Sequence, residues 1–256
     1  MTTALLGYTG FVGGTLLRQH AFDDLYNSTN IEQLAGRDYD LVVCAAAPGV
    51  KWKANKEPEQ DLASIRRLMA PFEALRCRKV VLISTVDVYP DPVGCDERTA
   101  IDRSAGGAYG RHRLMLEDFL AARFETLVVR LPGLFGKGLR KNALYDILTA
   151  NRVDQIVPNA LFQFYDMQHL WRDVQTAARS GLPLVNFAVE PTRMRDVAQH
   201  AFGLKLPAAD QPAPARYDMQ TMHAAAFGRS GRYLSTAQEV LDGIRDFAAG
   251  EGWVRP

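Results

Sequence analysis

Three glycines, Gly7, Gly10 and Gly13, stand between an apolar run, Ala4 to Leu6, and a segment with apolar residues at helical spacing, Phe11, Val12, Leu16 and Leu17. Strand, glycine turn and helix in that order open a dinucleotide-binding βαβ unit. Gly7 lets the backbone turn sharply out of the strand. Gly10 leaves room for a pyrophosphate, and Gly13 lets the helix pack close. The N–H groups at the helix start offer partial positive charge to phosphates, so Tyr8, Thr9, Phe11 and Val12 join the glycines as cofactor-binding candidates. The competing reading is a tight turn with no ligand.

Such a fold carries an acidic residue for the adenosine ribose about 20 residues past the glycines. Here Asp23 and Asp24 come early, and Asn27 or Ser28 takes that position. A neutral side chain still hydrogen-bonds a ribose hydroxyl and tolerates a 2′-phosphate better than a carboxylate does, so NAD and NADP both stay open. Alternatively, Asn27 to Asn30 is a surface turn that caps a helix from Ile31.

Further candidates follow along the chain. Asp40 to Pro48 reads as a central parallel strand, and its small end, Ala45, Ala46 and Ala47, lets a flat group lie against the backbone. Lys51, Trp52 and Lys53 form a basic, aromatic loop that either roofs the nicotinamide or substrate or is a plain rim. Ser84, Thr85, Asp87 and Tyr89 fall where the strand from Lys79 gives way to a loop, at the carboxyl edge where open α/β sheets bind ligands. Lys137, Arg140 and Lys141 either grip a substrate phosphate or are simply solvated.

These candidates need a frame of alternating strands and helices. Helices are expected at 58–76, with Leu62, Ile65, Leu68, Met69 and Phe72 as the apolar stripe, and from Ala108, with Leu114, Phe119 and Leu120 inward. A strand is expected over Thr126 to Arg130. Beyond it the alternation loosens: a helix over 143–150, another over 170–180, a strand over 183–189 and a proline-rich loop over 207–214. Ser235 and Gln238 have capping-box spacing for a last helix that stops at Gly250. No repeat or low-complexity segment occurs.

Composition bounds the function. With 47% hydrophobic residues in 256, the chain fills a sizeable core. A net charge of +1 points to neither nucleic acid nor an anionic membrane surface. Three scattered cysteines show no metal spacing and suit a reduced, cytoplasmic setting. No apolar run is long enough to cross a bilayer, and the early first strand leaves no room for a signal peptide. The five histidines form no ligand cluster, so no metal site is expected; His112 suits an exposed helical position better than catalysis.

Taken together, these pieces resemble the extended short-chain dehydrogenase/reductase superfamily, in its NAD-dependent epimerase/dehydratase branch. The matching motifs are Gly7-x-x-Gly10-x-x-Gly13, Asp40 with Ala45–Ala47, Ser84-Thr85-x-x-Val88-Tyr89, Tyr109-x-x-x-Arg113, Arg130-Leu-Pro-Gly-Leu-Phe-Gly136, and Asn186-Phe-Ala-Val-Glu190-Pro. The resemblance implies a doubly wound parallel (Rossmann) sheet over 1–132, with return segments near 164–190, and a small C-terminal substrate lobe in 133–256. It implies bound NAD or NADP and a small-molecule substrate, for many members a nucleotide sugar. Tyr109 matches the proton donor or acceptor, Thr85 the hydroxyl that orients the substrate oxygen, and Asp87 the acid of dehydratase members. Ser84 and Tyr89 would flank the substrate. Arg113 stands where the family has a lysine that holds the nicotinamide ribose and lowers the tyrosine pKa from its free value of ~10. Arginine keeps that charge in a longer, planar fork. The likeness also suggests a homodimer through the helices at 58–76 and 109–122. The departures at Arg113 and at the ribose acid leave one alternative, a non-catalytic dinucleotide-binding sensor; a purely structural reading needs no cofactor.

Overall fold

The structure, a computed structural model, describes residues 1–207 and 214–253. The expected loop at 207–214 thus lies, its two ends excepted, outside the described residues. The strands in chain order are β1 (Thr3–Leu6), β2 (Asp24–Tyr26), β3 (Asp38–Cys44), β4 (Arg76–Thr85), β5 (Glu125–Leu131), β6 (Gly133–Phe135), β7 (Leu161–Phe162), β8 (Phe164–Asp166), β9 (Leu184–Asn186) and β10 (Thr192–Arg193). The α-helices are α1 (Phe11–Gln19), α2 (Lys51–Lys56), α3 (Pro58–Met69), α4 (Ala108–Ala121), α5 (Ala143–Leu148), α6 (Leu170–Arg179), α7 (Met194–Val197) and α8 (Ala237–Gly250).

The chain forms two compact units. The first comprises Met1–Asp91, Arg98–Arg130 and Leu170–Val185. It holds a six-stranded sheet in the order β2-β1-β3-β4-β5-β9. β1 runs parallel to both β2 and β3, and β3 runs parallel to β4. Leu5, Val43 and Val81 are as deeply buried as Leu6, Val42 and Leu82, which is why these strands read as unbroken apolar runs. One face packs Leu6, Val42 and Leu82 with Ile65 and Phe72, and with Leu116 and Leu120 of α4. The helices pair as α3 with α4 and α1 with α6. From β1 the chain steps to β2 on one side and then to β3 on the other. The strand order therefore reverses between β1 and β3, where open sheets form a ligand crevice.

The structure corrects several expectations. The helix expected over 58–76 ends at Met69, continues as a 3₁₀ turn, Ala70–Glu73, where Pro71 falls, and has given way to β4 by Arg76. The strand expected over Asp40 to Pro48 ends at Cys44; Ala45 still donates to the Leu6 carbonyl at 3.0 Å, then the chain leaves the ladder ahead of Pro48. Lys51–Lys56 is a helix, not a loop; only Ala54 of its six residues is buried, so it shows no apolar stripe. The helix expected from Ile31 is a four-residue 3₁₀ turn. The last helix is capped one residue later than read: the Thr236 hydroxyl accepts from the Glu239 N–H and the Glu239 carboxylate accepts from the Thr236 N–H.

The second unit comprises Pro92–Glu97, Leu131–His169 and Asn186–Pro256. β6 pairs with β8 in parallel and β7 with β10 antiparallel. α7 runs into a π-helical turn, Ala198–Phe202, that packs on α8. α8 sits close to β6: a Cβ on Gly243 would lie 3.1 Å from the Phe135 ring. Among the described residues no helix is long and apolar enough to cross a membrane, and no three or more His, Cys, Asp or Glu form a group that could hold a metal ion.

Candidate active site

The three glycines divide their work. Gly7 has φ +84°, and a Cβ there would lie 2.5 Å from the Ala45 carbonyl oxygen, so the end of β3 presses on the turn. A Cβ on Gly13 would fall 2.1 Å from the Gly7 oxygen, so α1 packs on the turn itself. Gly10 is different. Its Cβ would meet nothing closer than the Gly7 oxygen at 3.4 Å, which leaves that flank open. Gly10 is also the N-cap of α1, with no side-chain capping bond and no acid in the first turn. An uncapped, acid-free helix start at an open glycine fits a pyrophosphate.

The segment after β2 is neutral and internally bonded. Asn27 directly follows β2; its amide donates to the Tyr8 hydroxyl at 3.1 Å, and its oxygen accepts from the Thr29 N–H and hydroxyl at 2.8 and 2.7 Å. The Ser28 carbonyl accepts from Arg67 at 3.0 Å, while Arg67 also pairs with Glu32. The surface turn anticipated for Asn27 to Asn30 is therefore present, directly after β2.

Thr85, the last residue of β4, accepts from the Asp87 N–H at 3.2 Å, and its hydroxyl is among the groups that pull the Tyr109 phenol down. Tyr109 stands in the first turn of α4. That turn is wedged on the segment after β4: a Cβ on Gly110 would overlap the Asp87 carbonyl oxygen at 1.9 Å. The Asp87 carboxylate takes a 2.7 Å ion pair from Lys51 of α2, whereas the neighbouring Trp52 is 69% exposed.

Arg113 turns away from the role its position implies. Both terminal nitrogens bind the Asp61 carboxylate, one at 2.9 Å, and they also reach the Pro48 and Tyr109 carbonyls. The guanidinium carbon lies 4.1 Å from the centre of the Tyr109 ring. His112 Nδ1 meets Asp61 at 2.7 Å. Burial pushes the Asp61 carboxyl up, but the bonds from Arg113 and His112 win and hold it below its ordinary value. For Tyr109 the balance runs the other way. Burial pushes the phenol up, and the nearby Asp87 and Asp61 charges add to that; Arg113 and Thr85 pull down and lose. Arginine at this position thus keeps its charge but does not bring the phenol below its free value, because burial of the ring outweighs it, with Asp87 and Asp61 adding to the opposition.

Ser84 and Tyr89 belong to another network. The Ser84 hydroxyl donates to Glu117, which is buried in a pair with Arg130, and Arg130 donates to the Tyr89 hydroxyl at 2.7 Å. Lys137 and Arg140 stand in the second unit, in the loop between β6 and α5; beside them, burial pushes the Lys141 ammonium down. Two residues escaped the sequence reading. Asp61 was legible, since it continues the buried stripe of Ile65 and Leu68 one turn toward the helix start. Asn55, whose carboxamide oxygen accepts the Tyr109 N–H at 3.0 Å, offered no pattern.

A doubly wound sheet with an open glycine turn at its switch point, and a threonine and a tyrosine at the carboxyl end of β4, define a Rossmann-like α/β protein. The sequence model of the NAD dependent epimerase/dehydratase family matches residues 21–173, more than half of the chain. The chain belongs to that family. The match begins after the glycine turn. No curated protein matches the chain. Among solved structures, a UDP-galactose 4-epimerase superposes with a TM-score of 0.72 at 18% identity over 99% of this chain and 100% of that one. An NAD dependent NDP-hexosamine 5,6-dehydratase, TunA, gives 0.75 at 18% over 98% of each chain. A dTDP-4-dehydrorhamnose reductase from Clostridium acetobutylicum gives 0.73 at 14% over 98% and 100%. At these identities the likeness establishes the fold. All three are named as enzymes.

Proposed function

We propose that this chain is an NAD(P)-dependent enzyme in which Tyr109 exchanges a proton with a substrate oxygen that Thr85 orients. The observation that carries the reading is that Gly110 seats the first turn of α4, which bears Tyr109, on the Asp87 carbonyl just past Thr85, at the carboxyl edge of the sheet that bears the glycine turn. A bound nicotinamide would supply or accept the hydride. Gly10 and the start of α1 would hold its pyrophosphate, and Asn27 and Ser28 admit either dinucleotide. Arg113 Nε, buried and without a partner, is the donor left for the nicotinamide ribose. A phenol raised above its free value stays protonated at neutral pH, the form that reduction of a carbonyl consumes, but it is a weaker acid than free tyrosine and a poor base for oxidising a hydroxyl. The substrate class is a nucleotide-linked sugar, with Lys51, Trp52 and Asp87 on the substrate side. Pairing of two copies through α3 and α4 belongs to the same proposal, and sedimentation checks it.

The test is turnover of nucleotide 4-keto sugars with NADH and NADPH. Tyr109→Phe should lower kcat by about 10²–10⁴-fold with dinucleotide affinity kept. Full activity in that variant removes Tyr109 from the chemistry.

A further inference from the structure

The helix that carries Tyr109 does not cap itself. Its N-cap is Gly107, which makes no side-chain capping bond. The missing acceptor comes from α2, where the Asn55 carboxamide oxygen takes the N–H of Tyr109, the second residue of the helix, at 3.0 Å. We infer that Asn55 is a positioning residue for Tyr109, supplying from a separate helix the cap that fixes the turn on which the phenol stands. The inference rests on the assignment of Tyr109 made above.

Gly107 explains why the cap is borrowed. Its φ of −78° and ψ of 161° are ordinary extended backbone that any residue adopts. Space is what glycine provides here: a Cβ would lie 2.6 Å from Asn55 Oδ1 and 3.0 Å from its Cγ and Nδ2, and nothing else stands within 4 Å among its three nearest atoms. Asn55 therefore fills the volume that a serine or threonine at the N-cap would use. On the other side, Gly110 presses on the Asp87 carbonyl. The first turn of α4 is gripped between the Asn55 cap and the segment that carries Asp87. The same six-residue α2 also sends Lys51 to Asp87, so one short helix holds both the acid and the tyrosine turn.

The geometry prescribes a cap transfer as the test. Asn55→Ala should lower kcat about tenfold while the KM for the dinucleotide changes less than twofold, and should move the alkaline titration of Tyr109, read as the ultraviolet difference against Tyr109→Phe. Asn55→Asp keeps an acceptor and should restore most of both. In Asn55→Ala combined with Gly107→Ser, the serine hydroxyl occupies the vacated space and caps α4 directly, and both readouts should return to within about threefold of the parent. The inference is overturned if Asn55→Ala leaves kcat and the phenol titration unchanged. It is equally overturned if the double variant regains thermal stability but neither kcat nor the titration. Were no turnover found at all, the assignment of Tyr109 would fail, while the titration of the three variants would still decide the cap.

Discussion

Two buried arginines in the first unit are held in opposite ways. Arg130, at the end of β5, spends every nitrogen: Nε and Nη2 on Glu117 at 3.1 and 2.6 Å, and Nη1 on the Tyr89 hydroxyl at 2.7 Å. Arg113, on α4, binds Asp61 through its two terminal nitrogens and leaves Nε buried without a partner, beneath the Tyr109 ring. A fully satisfied ion pair in a core is an anchor. One that keeps a donor in reserve beside a titratable phenol is poised to receive something. The contrast also shows why the family's lysine position tolerates arginine here: Asp61 turns most of that fork into structure and leaves one N–H over.

The sharpest way to break the contrast is to remove each carboxylate. Glu117→Ala strands a buried guanidinium and the Ser84 hydroxyl, and should cost about 3–5 kcal/mol in chemical denaturation. Asp61→Asn keeps the shape and one good acceptor, and should cost about 2 kcal/mol. Unlike Glu117→Ala, it should also draw the Tyr109 titration downward, because the Arg113 charge then acts on the phenol uncompensated. A loss at Asp61 that matched the one at Glu117, with no movement of the phenol, would erase the distinction. Next come the lysine exchanges. Arg130→Lys should lose about 1 kcal/mol more stability than Arg113→Lys, since an ammonium cannot reproduce three directed nitrogens.

The smallest effects are in pH. The folded carboxyl of Asp61 titrates below its ordinary value of 3.8. Its contribution is therefore complete above that value and disappears as pH falls through the folded one, so acid unfolding of Asp61→Asn should be shallower than that of the parent. The Tyr109 phenol is raised, so its contribution is complete below a pH of about 10 and is lost as pH climbs through the folded value. Tyr109→Phe should then resist alkaline unfolding slightly better than the parent, by Tm at high pH.

Much of this frame was legible in the residues. Unbroken apolar runs gave β1, β3 and β4, and the glycine spacing gave the turn, because burial on both faces and close backbone approach leave plain marks. α2 was not legible, since a short exposed helix buries only Ala54 and so has no stripe. The last cap was misread by one residue because Ser235-x-x-Gln238 and Thr236-x-x-Glu239 fit the same pattern, and only packing chooses between them. At the site, Thr85, Tyr109 and Arg113 were singled out through the family resemblance, Thr85 also by its place where a strand gives way to a loop. The partners that decide what they do, Asp61 and Asn55, come from α3 and α2, fifty-two and fifty-four positions upstream of the residues they hold. No local pattern encodes a bond across that separation.

The flank of Gly107 that Asn55 fills has a consequence for comparing chains of this kind. An asparagine at 55 facing glycine at 107, and an alanine at 55 facing serine at 107, would secure the same phenol with the same bond. Two descendants wired in these alternative ways would look degenerate in both alignment columns, though neither had lost anything. Only the pair of columns, taken jointly, would reveal the shared constraint.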